Sequence, residues 1–284
     1  MMTISDSNLM LGYDYGAWYD GGEKKPVCTD ISTSTNSHTI LCGMSGSGKS
    51  KSEEAIMARI AKSEGAIFFG DFKQDDTFKY LRGCPRYYPY YQTEEALNAV
   101  YNILHRRQSG EDKSRYPITL IWDEYMANVL ALLGNDKKRA ESIMRKVSEI
   151  LMLGRSMAVR IIISCQRPDA SAFPSGSRLN YGICIVLGAS IRSIYEMLLP
   201  KEYIDAIGDR NFKAGEGVAL LQGSDLRFIK MPLIKNEKQL QALCIDALTR
   251  EIPEGVVGEA DDPHGGIVLP DVHTHKHSLD DIRV

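Results

Sequence analysis

Eight consecutive residues, Gly43-Met44-Ser45-Gly46-Ser47-Gly48-Lys49-Ser50, match the pattern G-x-x-x-x-G-K-[ST] and constrain the fold more than any other stretch. They follow the apolar run Thr39-Ile40-Leu41-Cys42 and precede a helical pattern that begins near Lys49. A strand, a tight glycine- and serine-rich turn and a helix in that order let backbone N–H groups point inward at phosphate oxygens. The helix start adds the positive end of its dipole. Lys49 is expected to reach the β- and γ-phosphates of a nucleoside triphosphate, and Ser50 to hold Mg²⁺. ATP and Mg²⁺ are therefore the expected ligands.

Apolar runs and helical patterns alternate through the chain. The runs are Thr39 to Gly43, Ala66 to Gly70, Ile118 to Asp123, Arg160 to Cys165, Gly182 to Gly188 and Val218 to Gln222, preceded by strand-like stretches at Leu11 to Tyr19 and Pro26 to Ile31. Helical patterns fall at Lys49 to Ser63, Thr93 to Arg107, Lys138 to Leu153, Ser190 to Leu199, Glu202 to Ile207 and Glu237 to Arg250. This alternation predicts an α/β fold with a mostly parallel, doubly wound sheet covered by helices on both faces. Ligands then bind at the carboxyl ends of the strands. The expected organisation is a strand-rich extension over residues 1–38 packed on the core, an ATPase core over 39–235, a last helix over 236–252 and a flexible tail over 253–284. Within the tail Asp271, His273, His275 and His277 alternate. That spacing suits either a metal-binding tract or a solvated terminus, and the second reading is preferred.

No stretch approaches the roughly 18 apolar residues of a membrane span, and the first residues lack the regions of a signal peptide, so a cytoplasmic protein without membrane insertion is expected. The six cysteines show no C-x-x-C and read as reduced core thiols. A formal net charge of −3 gives no global sign of nucleic-acid binding, so any DNA contact must come from a local patch. The cations of Lys137, Lys138, Arg139, Arg145, Lys146, Arg155 and Arg160 form one candidate, and the loop Arg167 to Arg178 another.

Ile118-Thr119-Leu120-Ile121-Trp122-Asp123-Glu124 is a hydrophobic strand ending in two acids. Asp123 at the strand end is placed to fix Mg²⁺ or orient Ser50, and Glu124 to accept a proton from the water that attacks the γ-phosphate. Gln166 ends the run Arg160 to Cys165 and puts an amide at the same sheet edge. On its own it reads equally as a polar residue before a proline turn.

The ordered motifs from about Thr39 to Gly223 resemble those of the FtsK/SpoIIIE branch of the FtsK–HerA P-loop ATPases. Gly43 to Ser50 is similar to the family's G-x-T-G-S-G-K-S, Asp71-Phe72-Lys73 to its D-P-K, and Trp122-Asp123-Glu124-Tyr125 to its V-D-E-F. The run from Gly154-Arg155-Ser156-Met157-Ala158 to Gln166-Arg167-Pro168 is similar to G-R-A-x-G-I-H-L-I-L-A-T-Q-R-P. The resemblance implies a RecA-like core, with a strand inserted between those carrying the two nucleotide motifs, that forms a hexameric ring around double-stranded DNA. It also implies that Gln166 senses the γ-phosphate and that an arginine of one subunit completes its neighbour's site. Arg155 leads for that role over Arg167 and Arg192, the other reading of Arg155 being a surface residue that caps a helix end. Phe72, Ala127 and Tyr195 depart from the family's pattern. The expected function is a DNA-translocating ATPase of a plasmid, conjugative or phage-like element, with a relaxase, replication protein or membrane-channel protein as further partner. The alternatives are a coupling or secretion-type ATPase that drives protein transfer and a nucleotide-gated recruitment module.

Overall fold

The computed structural model describes residues 8–32, 35–62, 65–173, 180–189, 192–253 and 255. The His-rich tract of residues 271–277 lies outside them, as do residues 174–178 of the basic loop that begins at Arg167. Among the described residues ten strands form a single sheet: β1 Asn8–Asp14, β2 Pro26–Asp30, β3 Thr39–Gly43, β4 Ala66–Asp71, β5 Tyr87–Pro89, β6 Ile118–Asp123, β7 Val159–Cys165, β8 Ile183–Leu187, β9 Glu216–Leu221 and β10 Asp225–Lys230. Their order is β2-β1-β10-β9-β8-β3-β7-β6-β4-β5. The six strands from β8 to β5 run parallel, and β9, β10, β1 and β2 extend them as an antiparallel wing.

The parallel strands are apolar at nearly every position because both faces are covered. Ile40, Leu120, Trp122, Ile161 and Ile163 point to the face packed by α3 (Thr93–Ser109), α4 (Tyr125–Asn135) and α5 (Lys137–Leu153). Leu41, Ile67, Ile121 and Ile162 point to the other, packed by α2 (Lys49–Lys62) and α8 (Glu237–Thr249). Each strand contributes to both cores through its two-residue repeat. β7 lies between β3 and β6, so the strand ending in Gln166 is flanked by the strands that carry the phosphate loop and the paired acids. All three end at one sheet edge.

Four elements depart from the sequence reading. The stretch Leu11 to Tyr19 divides into the end of β1 and a helix, α1 (Tyr15–Gly21), because the Asp14 carboxylate accepts from the Ala17 N–H at 2.9 Å and starts the turn. α4 is almost uniformly apolar at its start and lacks the helical polar repeat that would mark it. β5 is only three residues long, and β10, with Asp225, Arg227 and Lys230 in it, carries too much charge to stand out as a buried run. Two short helices after β8, α6 (Arg192–Leu198) and α7 (Lys201–Ile207), fall where expected. No helix among the described residues is long and apolar enough to cross a membrane.

All six cysteines are free thiols. Cys42 and Cys165 face each other across β3 and β7 with 3.3 Å between their sulfurs.

His38, just before β3, is buried, and its Nδ1 accepts from the Ile161 N–H at 3.1 Å. Burial, reinforced by the nearby Arg160 and Arg155 cations, lowers its pKa from 6.5 to about 3. The unfolded chain therefore binds a proton there that the folded chain refuses. Stability from this residue is intact above pH 6.5 and falls by about 1.4 kcal/mol per pH unit as pH drops towards 3. His38→Asn keeps an acceptor but cannot ionise, and is expected to shift the acid-unfolding midpoint, read by circular dichroism, to lower pH. An unchanged midpoint would assign acid sensitivity elsewhere.

Candidate functional site

A cavity of about 200 Å³ opens at the carboxyl edge of β3, β6 and β7. Gly43, Met44, Ser45, Gly46, Gly48, Lys49, Ser50, Asp123, Glu124 and Gln166 all line it, so the phosphate loop, the paired acids and the strand-end amide converge on one space. Ser47 lies buried beneath the loop. The loop can turn this tightly because Gly46 and Gly48 sit at φ +80° and +87°, a region that side chains rarely adopt.

Beneath the loop, α2 begins at Lys49 and aims its ammonium into a group of acids. Lys49 Nζ donates to Asp123 Oδ1 at 2.8 Å and lies 3.1 Å from Glu124 Oε1. Ser164, at the end of β7, donates to Asp123 Oδ1 at 2.6 Å and accepts from Lys49 at 3.3 Å. Gln166 Nε2 donates to Glu124 Oε1 at 3.3 Å. Burial alone would lower the Lys49 pKa; Asp123, Glu53 and Glu124 outweigh it and hold the ammonium charged, above its ordinary value. Glu53, one turn along α2 from Lys49, has its pKa pushed well up by burial and by the charge of Asp123.

Glu124 adopts φ 55°, ψ 41° as the residue before α4. A left-handed glutamate costs about 1 kcal/mol or more, and this one turns its carboxylate back over the strand end towards Lys49 and Gln166.

Asp71, paired in register with Asp123 on the neighbouring strand, organises the next wall. Its carboxylate accepts from Tyr87 Oη at 2.7 Å and from the Asp75 N–H at 3.3 Å, which shapes the turn that brings Lys73 and Asp75 to the cavity. Burial is the main cause of its raised pKa, which the Tyr87 hydrogen bond opposes and Asp123 reinforces. The similarity of Asp71-Phe72-Lys73 to D-P-K was the only trace of this wall in the sequence. Ser164 left none, being a small polar residue inside an apolar run.

The cavity fits a polyphosphate and its metal. Ser47 Oγ is buried with no hydrogen-bond partner, and a Cβ at Gly43 would come within 2.3 Å of it, so the loop closes on itself with a donor to spare. Lys49, Lys51 and Lys73 supply cationic charge around the space. The Ser50 hydroxyl and Asp123 carboxylate are the hard oxygen donors that Mg²⁺ takes.

Arg155 stands apart. It is exposed in a short 3₁₀ turn before β7, one strand length or roughly 20 Å from Gln166, beside His38 at the opposite sheet edge. Arg167 is exposed near the cavity, and Arg192 pairs with Glu196 and Asp205. The basic patch expected along α5 is neutralised only in part. Arg139 pairs with Glu94, Lys137 with Glu141 and Lys146 with Asn98, while Arg160 is buried and donates to the Ile31 carbonyl. A charge count along the sequence cannot register these partners, two of which, Glu94 and Asn98, come from α3.

No family model matches this sequence, and no curated protein matches it. Solved structures do. The cytoplasmic domain of the type VII secretion ATPase EccC of Thermomonospora curvata aligns over 89% of this chain and 32% of its own, with 19% identity and a TM-score of 0.62. The pCW3 conjugation coupling protein TcpA, in a monomer form with ATPgS, aligns over 80% and 66% with 18% identity and a TM-score of 0.63. EssC (ATPases 2 and 3) from Geobacillus thermodenitrificans aligns over 87% and 49% with 12% identity and a TM-score of 0.60. The chain has the fold of a RecA-like P-loop ATPase. It spans about a third of the EccC chain and about half of the EssC chain, and at these identities the likeness is one of fold. Within that ATPase fold the expected insertion of β7 between the two motif strands is present.

Proposed function

We propose that this chain is a Mg²⁺-dependent, ATP-hydrolysing motor subunit of the FtsK–HerA group, which acts as a cytoplasmic ring, hexameric by analogy with the FtsK/SpoIIIE branch. The observation that carries the reading is the buried cluster of Lys49, Asp123, Glu124 and Ser164, with Gln166 half-buried at its edge, under a single phosphate loop. In this reading residues 39–235 are the motor domain, braced by β1, β2 and α8.

The chemistry follows from who competes for Lys49. Phosphate oxygens offer its ammonium an alternative to Asp123 and Glu124, so binding frees Glu124 to take the proton of the attacking water. Ser50 and Asp123 would hold Mg²⁺, which would supply positive charge to offset that of the phosphates. Gln166, tethered to Glu124, orients that water or registers the loss of the γ-phosphate. Arg155 has no reach to its own site, and we assign it to the site of the next subunit, where it offsets charge on the transferring phosphoryl group.

Double-stranded DNA is the leading substrate on the strength of the motif series. The pairing of Lys137 with Glu141 and of Arg139 with Glu94 reduces the cationic charge along α5 and favours a second reading, in which the same ATPase drives a protein or nucleoprotein partner at a membrane channel. ATP turnover measured with and without linear duplex DNA across a salt series separates the two. Stimulation that fades as salt rises supports DNA, because phosphate contacts release counterions. Turnover indifferent to DNA at every salt concentration supports the protein-driving reading. In either case Arg155→Ala is expected to lower turnover by about 10³-fold with little change in ATP affinity, and retention of full turnover would remove it from the site.

A further inference from the structure

Lys49 and Lys73 both line the phosphate cavity, and they enter it from opposite sides of the paired acids. Lys49 follows the loop that leaves β3, and Lys73 follows β4. The strands between them, β7 and β6, lead into Gln166 and into Asp123 and Glu124. Three strand spacings, about 14 Å, separate β3 from β4. The two ammoniums also differ in what holds them. Asp123 and Glu124 share Lys49, and Glu54 and Glu237 share Lys51, the third cation of the cavity. Lys73 is exposed and forms no ion pair with any described residue. Its charge is felt by Asp75, but that carboxylate caps the next turn by accepting from the Thr77 N–H at 2.9 Å.

The turn that carries Lys73 is anchored on both flanks. Asp71 ends β4 and ties the turn to Tyr87 and to the Asp75 N–H. Gln74, next to Lys73, sits at φ 57°, and Tyr90, after β5, at φ 51°. Left-handed backbone at residues other than glycine persists only where surrounding contacts fix it. Aromatic rings supply those contacts. Phe72, the departure from D-P-K, stacks on Tyr90 with ring centroids 5.2 Å apart and planes 13° apart, and meets Tyr91 edge-on at 5.5 Å. Arg139 of α5 covers the Tyr91 ring at 5.8 Å. Lys73 therefore stands on a fixed base and has an unengaged head.

We propose that Lys73 is a second cation for the γ-phosphate, supplied by the same chain from the far side of Glu124, and that the Phe72–Tyr90–Tyr91 stack positions it. The inference rests on the ATPase reading, in which hydrolysis places the γ-phosphate in front of Glu124. Lys49 reaches that phosphate from the loop side. Lys73, beyond the acids as seen from the loop, meets the terminal phosphate and not those that the loop backbone cradles. A cation so placed distinguishes a nucleoside triphosphate from a diphosphate. It also offsets charge on the phosphoryl group as that group is transferred, which raises turnover. Lys49 is withdrawn from the acids to do this work, whereas Lys73 has no partner to leave.

Phosphate release by the full chain, with calorimetric titration by ATPγS and by ADP, tests this in Lys73→Ala, Lys73→Arg, Phe72→Ala and Phe72→Tyr. Lys73 is too exposed for its loss to threaten folding. Lys73→Ala is expected to lower turnover by about 10- to 100-fold, to weaken ATPγS by roughly tenfold and to leave ADP within about twofold of the parent. Lys73→Arg, which keeps the charge, should restore most of both losses. Phe72→Ala is expected to lower turnover by roughly tenfold with ADP affinity again unchanged, and Phe72→Tyr to restore it. General damage to the fold would weaken ADP as well. Equal weakening of ATPγS and ADP by Lys73→Ala overturns the inference, as does turnover within about twofold of the parent; either leaves the ATPase reading standing. Full turnover in Phe72→Ala overturns the positioning role of the stack. Failure of ATPγS and ADP alike to bind the unaltered chain overturns the ATPase reading itself.

Discussion

Glu124→Gln is expected to lower ATP turnover by about 10²–10⁴-fold and to leave ATP affinity within a few-fold of the parent. The amide is nearly isosteric, so it keeps the turn into α4 and can still meet Gln166, but it cannot take a proton at neutral pH. Binding is carried by the loop backbone and Lys49, neither of which the change removes. Loss of one carboxylate also leaves Lys49 with only Asp123 and Glu53 beside it, which eases its transfer to phosphate and favours tighter binding. Phosphate release followed against time, with ATP affinity from a separate titration, gives both quantities. Turnover within threefold of the parent would remove Glu124 as the base and point to a role confined to holding Lys49.

Lys49→Ala is expected to do two things at once. It removes the cation that meets the phosphates and should weaken ATP binding by roughly 10- to 100-fold. It also strands Asp123, Glu124 and Glu53 together in the protein interior with no ammonium between them. Breaking a buried pair from one side costs about 3–5 kcal/mol, so the variant should unfold at distinctly lower denaturant concentration than the parent. A second change, Asp123→Asn on the Lys49→Ala background, should recover part of that stability by deleting a stranded charge while binding stays poor. Equal stability of parent and Lys49→Ala, by urea unfolding, would show that the acids relax into water and that the cluster carries no net structural weight.

The parallel sheet was legible because its strands are buried on both sides and therefore apolar almost throughout, as in Ile118 to Trp122 and Ile161 to Ile163. Elements that depend on a partner's position were not. α1 reads as a strand from its tyrosines and tryptophan until Asp14 is seen to cap it. β10 makes sense only as the neighbour of β9, which its charged residues do not announce.

The site divides in the same way. Lys49, Asp123 and Glu124 are joined by chemistry that any phosphate loop needs, so sequence alone brings them together. Ser164, Asp75 and Glu53 join the cluster only through strand register and helix phase. Arg160 illustrates the opposite error: counted as surface charge in the sequence, it lies inside the protein, where burial lowers its pKa to about 10.

The antiparallel wing sets an order of assembly on the ribosome. β1 and β2 pair with each other, and among the described residues they join the sheet through β10, where Tyr13 meets Lys230. Some 200 residues separate β2 from that partner, which at about 5–20 residues per second is a wait of roughly 10–40 seconds. During it the apolar face of the first hairpin, Leu9, Leu11 and Val27, can lean on α2, through packing and the Arg59 hydrogen bond to the Met10 carbonyl. The helix that opens the nucleotide site is thus also the cradle of the nascent chain's first hairpin, and substitutions on its outer face will be felt in the yield of folded protein before they are felt in turnover.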